Sequence, residues 1–390
     1  MKENSKLRII SVVGARPNFI KAAPIVSEIA QYPAQVEQIL VHTGQHYDHE
    51  MFTLFFQDLG IPKPHYNLSI GSGTHAQQTA KIMVEFERVL HKEKPSLVIV
   101  VGDVNSTLAC SLVAVKLGIK VAHVEAGLRS FDRNMPEEIN RLVTDSISDY
   151  LFVTEQSGKR NLLSEGIPEE KIFSVGNVMI DTLLANREKA SQSTVLERLG
   201  LKSLNGPIEY ATLTLHRPSN VDTKDSLGQI FDALKEISES LPVVFPVHPR
   251  TRKHIKQFGF EEYCHFTEIK ENQMPSSSHN KSKILATPPL GYLDFLQLMS
   301  NSKIVLTDSG GIQEETCILG TPCVTLRNNT ERPVTVEVGT NKVAGTNKVK
   351  ILEACQSFLQ NPPKKNSQPQ LWDGKAAERI VSILVEKLGA

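Results

Sequence analysis

Two acids stand where a folded chain can use them. Asp103 follows the apolar run Leu97 to Val101, and Glu125 closes the run Val121 to Val124. Uninterrupted runs of this kind read as buried parallel strands, and ligands of open α/β sheets collect beyond the strands' carboxyl ends. Glu137 and Glu138 open a helix just after Pro136 and enlarge the cluster. Clustered acids suit proton transfer, because crowding and burial push their pKa values apart. Helix-dipole placement accounts for Glu137 and Glu138 equally well, whereas Asp103 and Glu125 have no such simple explanation. In the second half, His216 and Arg217 end the run Tyr210 to Leu215, and His248 follows the run Val243 to Val247.

A second chemistry is written in the stretch from Lys303 to Gly320. Ile304 to Leu306 is a short strand that Asp308 and Ser309 stop. Gly310 and Gly311 allow a sharp turn and close approach to a ligand, and Ile312 to Leu319 resumes at helical spacing with Glu314 and Glu315 in the first turns. The unpaired N–H groups of such a helix start suit a phosphate or diphosphate. A plain turn with Ser309 as N-cap explains an isolated Ser-Gly-Gly. Arg327 and Arg332, beside turn residues further on, favour the phosphate. Gly14, Arg16 and Lys21 repeat the motif weakly after the first strand, and two solvated cations are the plain alternative there. Gln45, His46, Asp48 and His49 are either site residues or a polar loop, and their spacing favours the loop.

The elements that must carry these residues alternate strand and helix throughout. Leu7 to Val13 and Ile39 to Thr43 read as strands, as do Tyr150 to Thr154 and Lys171 to Val175; amphipathic helices start near Gly14, His75 and Ser157. Apolar continuity fails around 190–207. The expected organisation is a Rossmann-like domain over 1–190 with the carboxylates, a second over 191–370 that binds the anion, and a helix over 371–390 packing back on the first. The fold class is therefore α/β, two doubly wound domains facing across a cleft.

The 390 residues carry 43 Lys plus Arg against 43 Asp plus Glu, so no global field recruits nucleic acid or anionic lipid. No stretch is long enough to span a bilayer, and the start of the chain reads as a first strand and not a signal peptide, so a cytoplasmic protein is expected. Cys110, Cys264, Cys317, Cys323 and Cys355 are odd in number and scattered, which argues against a disulfide framework and a zinc site. Lys270 to Lys283 is serine-rich and apolar-poor, and is expected to be a mobile surface loop.

GARPNFIKAAP, TGQHYD, VVGDVNST, AHVEAGLRS, MPEEINR, LHRPSN, PVHPR, LTDSGGIQEE and TERP together resemble the non-hydrolysing UDP-N-acetylglucosamine 2-epimerases. The resemblance implies a glycosyltransferase-B-like fold and inversion at carbon 2 of a UDP sugar, feeding surface polysaccharide synthesis. In that reaction UDP is eliminated to leave a 2-acetamidoglucal and is then re-added. The resemblance makes Asp103, Glu125, Glu137 and His216 catalytic. It assigns Arg16, Lys21, Phe295, Ser309, Gly310, Gly311, Glu315 and Arg332 to the nucleotide sugar: Glu315 at the ribose, Phe295 near uracil, and Ser309, Gly311 and Arg332 at the diphosphate. Which carboxylate is base and which is acid stays open. Gln45, Arg217 and His248 are the residues it offers for a second nucleotide-sugar site.

The same resemblance implies a homodimer and calls for no cofactor and no metal. Leu290 stands where several family members carry a glutamine. The YD form of TGQHYD, with SIGSGTHAQQT and MPEEINR, is similar to members acting on UDP-2,3-diacetamido-glucuronates. A hydrolysing epimerase shares most of these motifs. A glycosyltransferase needs an acceptor groove and not this set of acids, and a non-catalytic UDP-sugar sensor is disfavoured because acids facing a diphosphate weaken binding.

Overall fold

A computed structural model describes residues 6–44, 58–203, 206–268, 284–363 and 368–389. Gln45, His46, Asp48, His49 and the whole serine-rich stretch Lys270 to Lys283 lie outside the described residues. The chain forms two compact units, 1–185 with 370–390, and 186–369.

The first unit is built on seven parallel strands: β1 (Leu7–Val13), β2 (Val36–His42), β3 (Tyr66–Asn67), β4 (Leu97–Val101), β5 (Lys120–Val124), β6 (Tyr150–Val153) and β7 (Ile172–Ser174). Their order is β3-β2-β1-β4-β5-β6-β7. β4 reads Leu-Val-Ile-Val-Val with every side chain buried, because helices cover both faces of the sheet. One face packs under the helices Arg16–Ile29 and Ala376–Leu388, and the other under His75–Glu93 and Asn105–Lys116. The last helix is tied down by Asp181, whose carboxylate accepts the N–H groups of Ala376 (3.1 Å) and Ala377 (2.7 Å) at its start.

In the second unit the short helix Val195–Arg198 leads to two antiparallel strands, β8 (Lys202–Ser203) and β9 (Gly206–Pro207). A second parallel sheet follows: β10 (Ala211–Thr214), β11 (Val243–Pro246), β12 (Cys264–Phe266), β13 (Ile284–Thr287), β14 (Ile304–Thr307), β15 (Cys323–Thr325) and β16 (Asn341–Val343). Its order is β12-β13-β11-β10-β14-β15-β16.

Each sheet reverses its winding direction once, and that is where doubly wound sheets open a crevice for ligands. In the first unit the reversal lies between β1 and β4, which pair directly, so Gly14 and Gly102 to Asp103 leave neighbouring strands at one edge. In the second it lies between β10 and β14, which brings the start of His216-Arg217 beside Asp308-Ser309.

Candidate functional site

In the first unit, Glu125 is 2% exposed and adopts a left-handed backbone, φ +70°, which is uncommon for a non-glycine residue and strained. Its Oε2 pairs with the Lys21 ammonium, delivered from the helix Arg16–Ile29 and itself nearly buried. Asp103, one strand over, has a side chain 28% exposed and pairs through Oδ2 with Nη1 of the buried Arg141. The expected mutual crowding of the acids is thus replaced by separate cations, Lys21 for Glu125 and Arg141 for Asp103. The result is one enclosed and one accessible carboxylate at adjacent strand ends, a pair able to move protons by different routes.

Glu138 stands in the first turn of the helix Pro136–Ile147, as helix-dipole placement requires, and takes specific partners as well. It is buried and accepts from Ser130 N (3.0 Å), Phe131 N (2.9 Å) and Arg141 Nε (2.9 Å). Burial would raise its carboxyl, but these N–H groups and the guanidinium hold it below the ordinary range. Glu138 therefore orients Arg141, and Arg141 orients Asp103. Glu137 is half-buried on the first turn of the same helix. Arg16 begins the helix that carries Lys21.

In the second unit, Gly310 and Gly311 are the first residues of the helix Gly310–Leu319 and not a turn before it. Gly310 is needed for close approach: a Cβ there would lie 2.7 Å from Glu331 Oε1. Ser309 stands at the N-cap position without a side-chain cap bond, and no acid occupies the first helical turn. Glu314 and Glu315 lie beyond it. Glu314 Oε1 accepts from Arg332 Nε (2.6 Å), and Glu315 accepts from the Tyr292 hydroxyl (3.1 Å). Burial first, then Glu315, pushes the Tyr292 phenol well up, so it stays a donor. Tyr292 shares the helix Tyr292–Ser300 with the half-buried Phe295, which packs against an apolar cluster that includes Leu290.

Arg332 and Arg327 are buried groups around Glu331. Arg327 Nη2 lies 2.7 Å from Glu331 Oε2, Arg332 Nη1 3.7 Å and Arg217 Nη2 3.8 Å from Oε1. Burial opposes the Glu331 charge, yet the three guanidinium groups hold its carboxyl far below the ordinary range. Three guanidinium groups gather around Glu331 next to a helix start, and both features favour an anion.

His216 meets Asp308, which is fully buried. His216 Nδ1 lies 3.0 Å from Oδ1, while Oδ2 accepts the backbone N–H groups of His216 (3.0 Å) and Arg217 (2.9 Å). Asn220 Nδ2 adds a further bond at 3.2 Å. Burial raises the Asp308 carboxyl and His216 lowers it, with a net displacement below the ordinary range. A carboxylate only accepts, so Nδ1 carries the proton and Nε2 is the nitrogen left for acid-base work. The His248 ring lies 6.1 Å from that of His216, and its Nδ1 accepts from Arg250 N (3.3 Å).

Several site-building residues escaped sequence reasoning: Asp308, read only as a strand stop, Arg141, and Glu331. Arg141 had a legible signal, since it follows Glu138 at the helical i, i+3 spacing. Among the described residues no group of three or more His, Cys, Asp or Glu is placed to hold a metal ion. No described helix is long and apolar enough to cross a membrane. All five cysteines are buried thiols.

Two parallel α/β units of glycosyltransferase-B-like kind, one presenting paired acids and the other an anion-favouring helix start, describe the class of nucleotide-sugar enzymes. Residues 28–385 match the family described as UDP-N-acetylglucosamine 2-epimerase, and the chain belongs to that family of isomerases. It is 47% identical over 380 residues to a UDP-N-acetylglucosamine 2-epimerase of Methanocaldococcus jannaschii, covering 97% of this chain and 99% of that one. It is 40% identical over 383 residues to a UDP-2,3-diacetamido-2,3-dideoxy-D-glucuronate 2-epimerase of Pseudomonas aeruginosa, covering 97% and 100%. The crystal structure of the M. jannaschii UDP-GlcNAc 2-epimerase in complex with UDP-GlcNAc and UDP superimposes with a TM-score of 0.87 at 46% identity, covering 97% of this chain and 100% of that one.

Proposed function

We propose that the protein interconverts UDP-N-acetylglucosamine and UDP-N-acetylmannosamine without hydrolysis. The observation that carries this reading is the pair Asp103 and Glu125 at adjacent strand ends, each with its own cation. A carbon-bound hydrogen beside an acetamido group is a poor acid and needs a placed base, which a carboxylate of this pair supplies. As the carbon 2 proton leaves, the bond from the anomeric carbon to UDP breaks, giving the 2-acetamidoglucal and UDP. Arg332, Ser309 and the helix start of Gly310–Leu319 take up the developing diphosphate charge. His216 acts on the phosphate side, Glu137 completes the acids, and Glu315 and Phe295 bind ribose and uracil. Protonation from the opposite face and re-addition of UDP complete the inversion.

The experiment is proton NMR with UDP-N-acetylglucosamine in deuterium oxide. The manno isomer with deuterium at carbon 2 and UDP still attached is expected; free sugar with stoichiometric UDP would mean hydrolysis. A second reading, epimerisation of a UDP-2,3-diacetamido-glucuronate, is favoured by the 40% identity to the P. aeruginosa enzyme, and the same assay with that sugar separates the two. The family resemblance further supports a cytoplasmic homodimer that supplies a surface polysaccharide precursor, and a second nucleotide-sugar site at Gln45, Arg217 and His248.

A further inference from the structure

His123 is fully buried in β5, on the strand that ends at Glu125, and has no part in the chemistry above. Its Nε2 lies 2.8 Å from the Gly102 carbonyl and its Nδ1 2.6 Å from Asp145 Oδ1. A carbonyl only accepts, so Nε2 is a donor; a proton must then also lie between Nδ1 and the carboxylate. The second oxygen of Asp145 accepts from Gly127 N (3.0 Å) and pairs with Arg129 Nη2 (2.7 Å). Arg129 continues to Glu165 at 2.6 Å. Arg129 and Glu165 are the charged groups that complete the network around the pair.

The network grips the backbone on both sides of the acids. Gly102, which precedes Asp103, is held at its N–H by the Val124 carbonyl (3.0 Å) and at its own carbonyl by His123. Gly127, just past Glu125, is held by Asp145. Gly102 (φ +69°), Glu125 (φ +70°) and Gly127 (φ +78°) are all left-handed, a conformation that a glutamate keeps only when its surroundings enforce it.

We infer that His123 and Asp145 form a buried clamp that positions Asp103 and Glu125, so that the power of both acids depends on two side chains that touch no substrate. The inference rests on the epimerase reading. His123→Asn keeps a donor near Nδ1 for Asp145 and drops the Gly102 bond; His123→Gln keeps a donor for Gly102 and drops the Asp145 bond. The parent and both variants are assayed for kcat and KM with UDP-N-acetylglucosamine, for UDP dissociation constant by calorimetry, and for folded fraction by circular dichroism. A displacement of about 1 Å costs on the order of 100-fold in rate, so kcat is expected to fall by about 10- to 100-fold while KM and UDP affinity stay within about threefold.

A kcat within about twofold of the parent in both variants overturns the clamp, by the same scale of rate loss per displacement. Rate loss matched by lost UDP affinity or by a lost folded fraction overturns it as well. Where one variant does not fold, the other and Asp145→Asn decide by the same readouts. A parent that leaves the sugar unchanged fails the functional reading instead. The clamp is then judged by carbon-13 NMR of the Glu125 carboxyl, which must shift in the His123 variants; an unmoved signal overturns it.

Discussion

Asp308 holds His216 twice, by the imidazole at 3.0 Å and by the backbone N–H at 3.0 Å. One buried carboxylate thus sets both where the residue sits and which ring nitrogen is free. Asp308→Asn should reduce kcat by about 10- to 100-fold, the scale of a misdirected acid-base group, while UDP affinity changes little. A parallel loss for His216→Ala and for the double variant identifies one shared function. Additive losses would separate the two residues.

Asp103→Asn and Glu125→Gln remove a charge and keep the shape. Each should cut turnover on the order of 100-fold or more with UDP affinity within a few fold. Deuterium wash-in at carbon 2 measured in single turnovers tells which variant has lost proton abstraction. Full turnover in both would remove the carboxylates from the chemistry.

Arg332→Ala should act on binding. The guanidinium answers Glu314 at 2.6 Å and lies 3.7 Å from Glu331, so its loss removes positive charge beside the helix start that would meet a diphosphate. The UDP dissociation constant should rise by about 10-fold or more, as for loss of a charge-assisted contact. Gly310→Ala should weaken UDP too, since its Cβ would press on Glu331 Oε1 at 2.7 Å. Calorimetry with UDP tests both, and unchanged binding in both would refute an anion site there.

Acid should unfold the second unit in part through Glu331. Its folded carboxyl lies far below the ordinary value of 4.5. A depressed carboxyl stabilises fully above its unfolded pKa and loses that contribution as pH falls through the folded one. Asp308 is displaced in the same direction. Stability should therefore decline from about pH 4.5 downward, the unfolded carboxylate range, and Glu331→Gln should flatten that slope. Urea midpoints at several pH values measure it; an equally steep slope in the variant would count against the assignment.

Much of the fold was legible because parallel strands buried on both faces must be unbroken apolar runs. Leu97–Val101 and Ile304 to Leu306 are such runs, and the polar residues that follow them mark the strand ends. Local appearance misled where a charge is answered from elsewhere in the chain. Glu314 looks like a dipole partner in the sequence, yet it lies beyond the first helical turn and Arg332 claims it. Gly310 looks like a turn glycine and is instead a space kept clear for Glu331.

The sequence by itself determined which residues end strands, because alternation of apolar runs with amphipathic helices follows from burial alone. Tertiary structure decided which strand ends become neighbours. β1 beside β4 and β10 beside β14 is a matter of sheet order, which no local pattern encodes. Only that order brings Lys21 to Glu125 and Asp308 to His216, because partners far apart in the chain meet through packing and not through spacing.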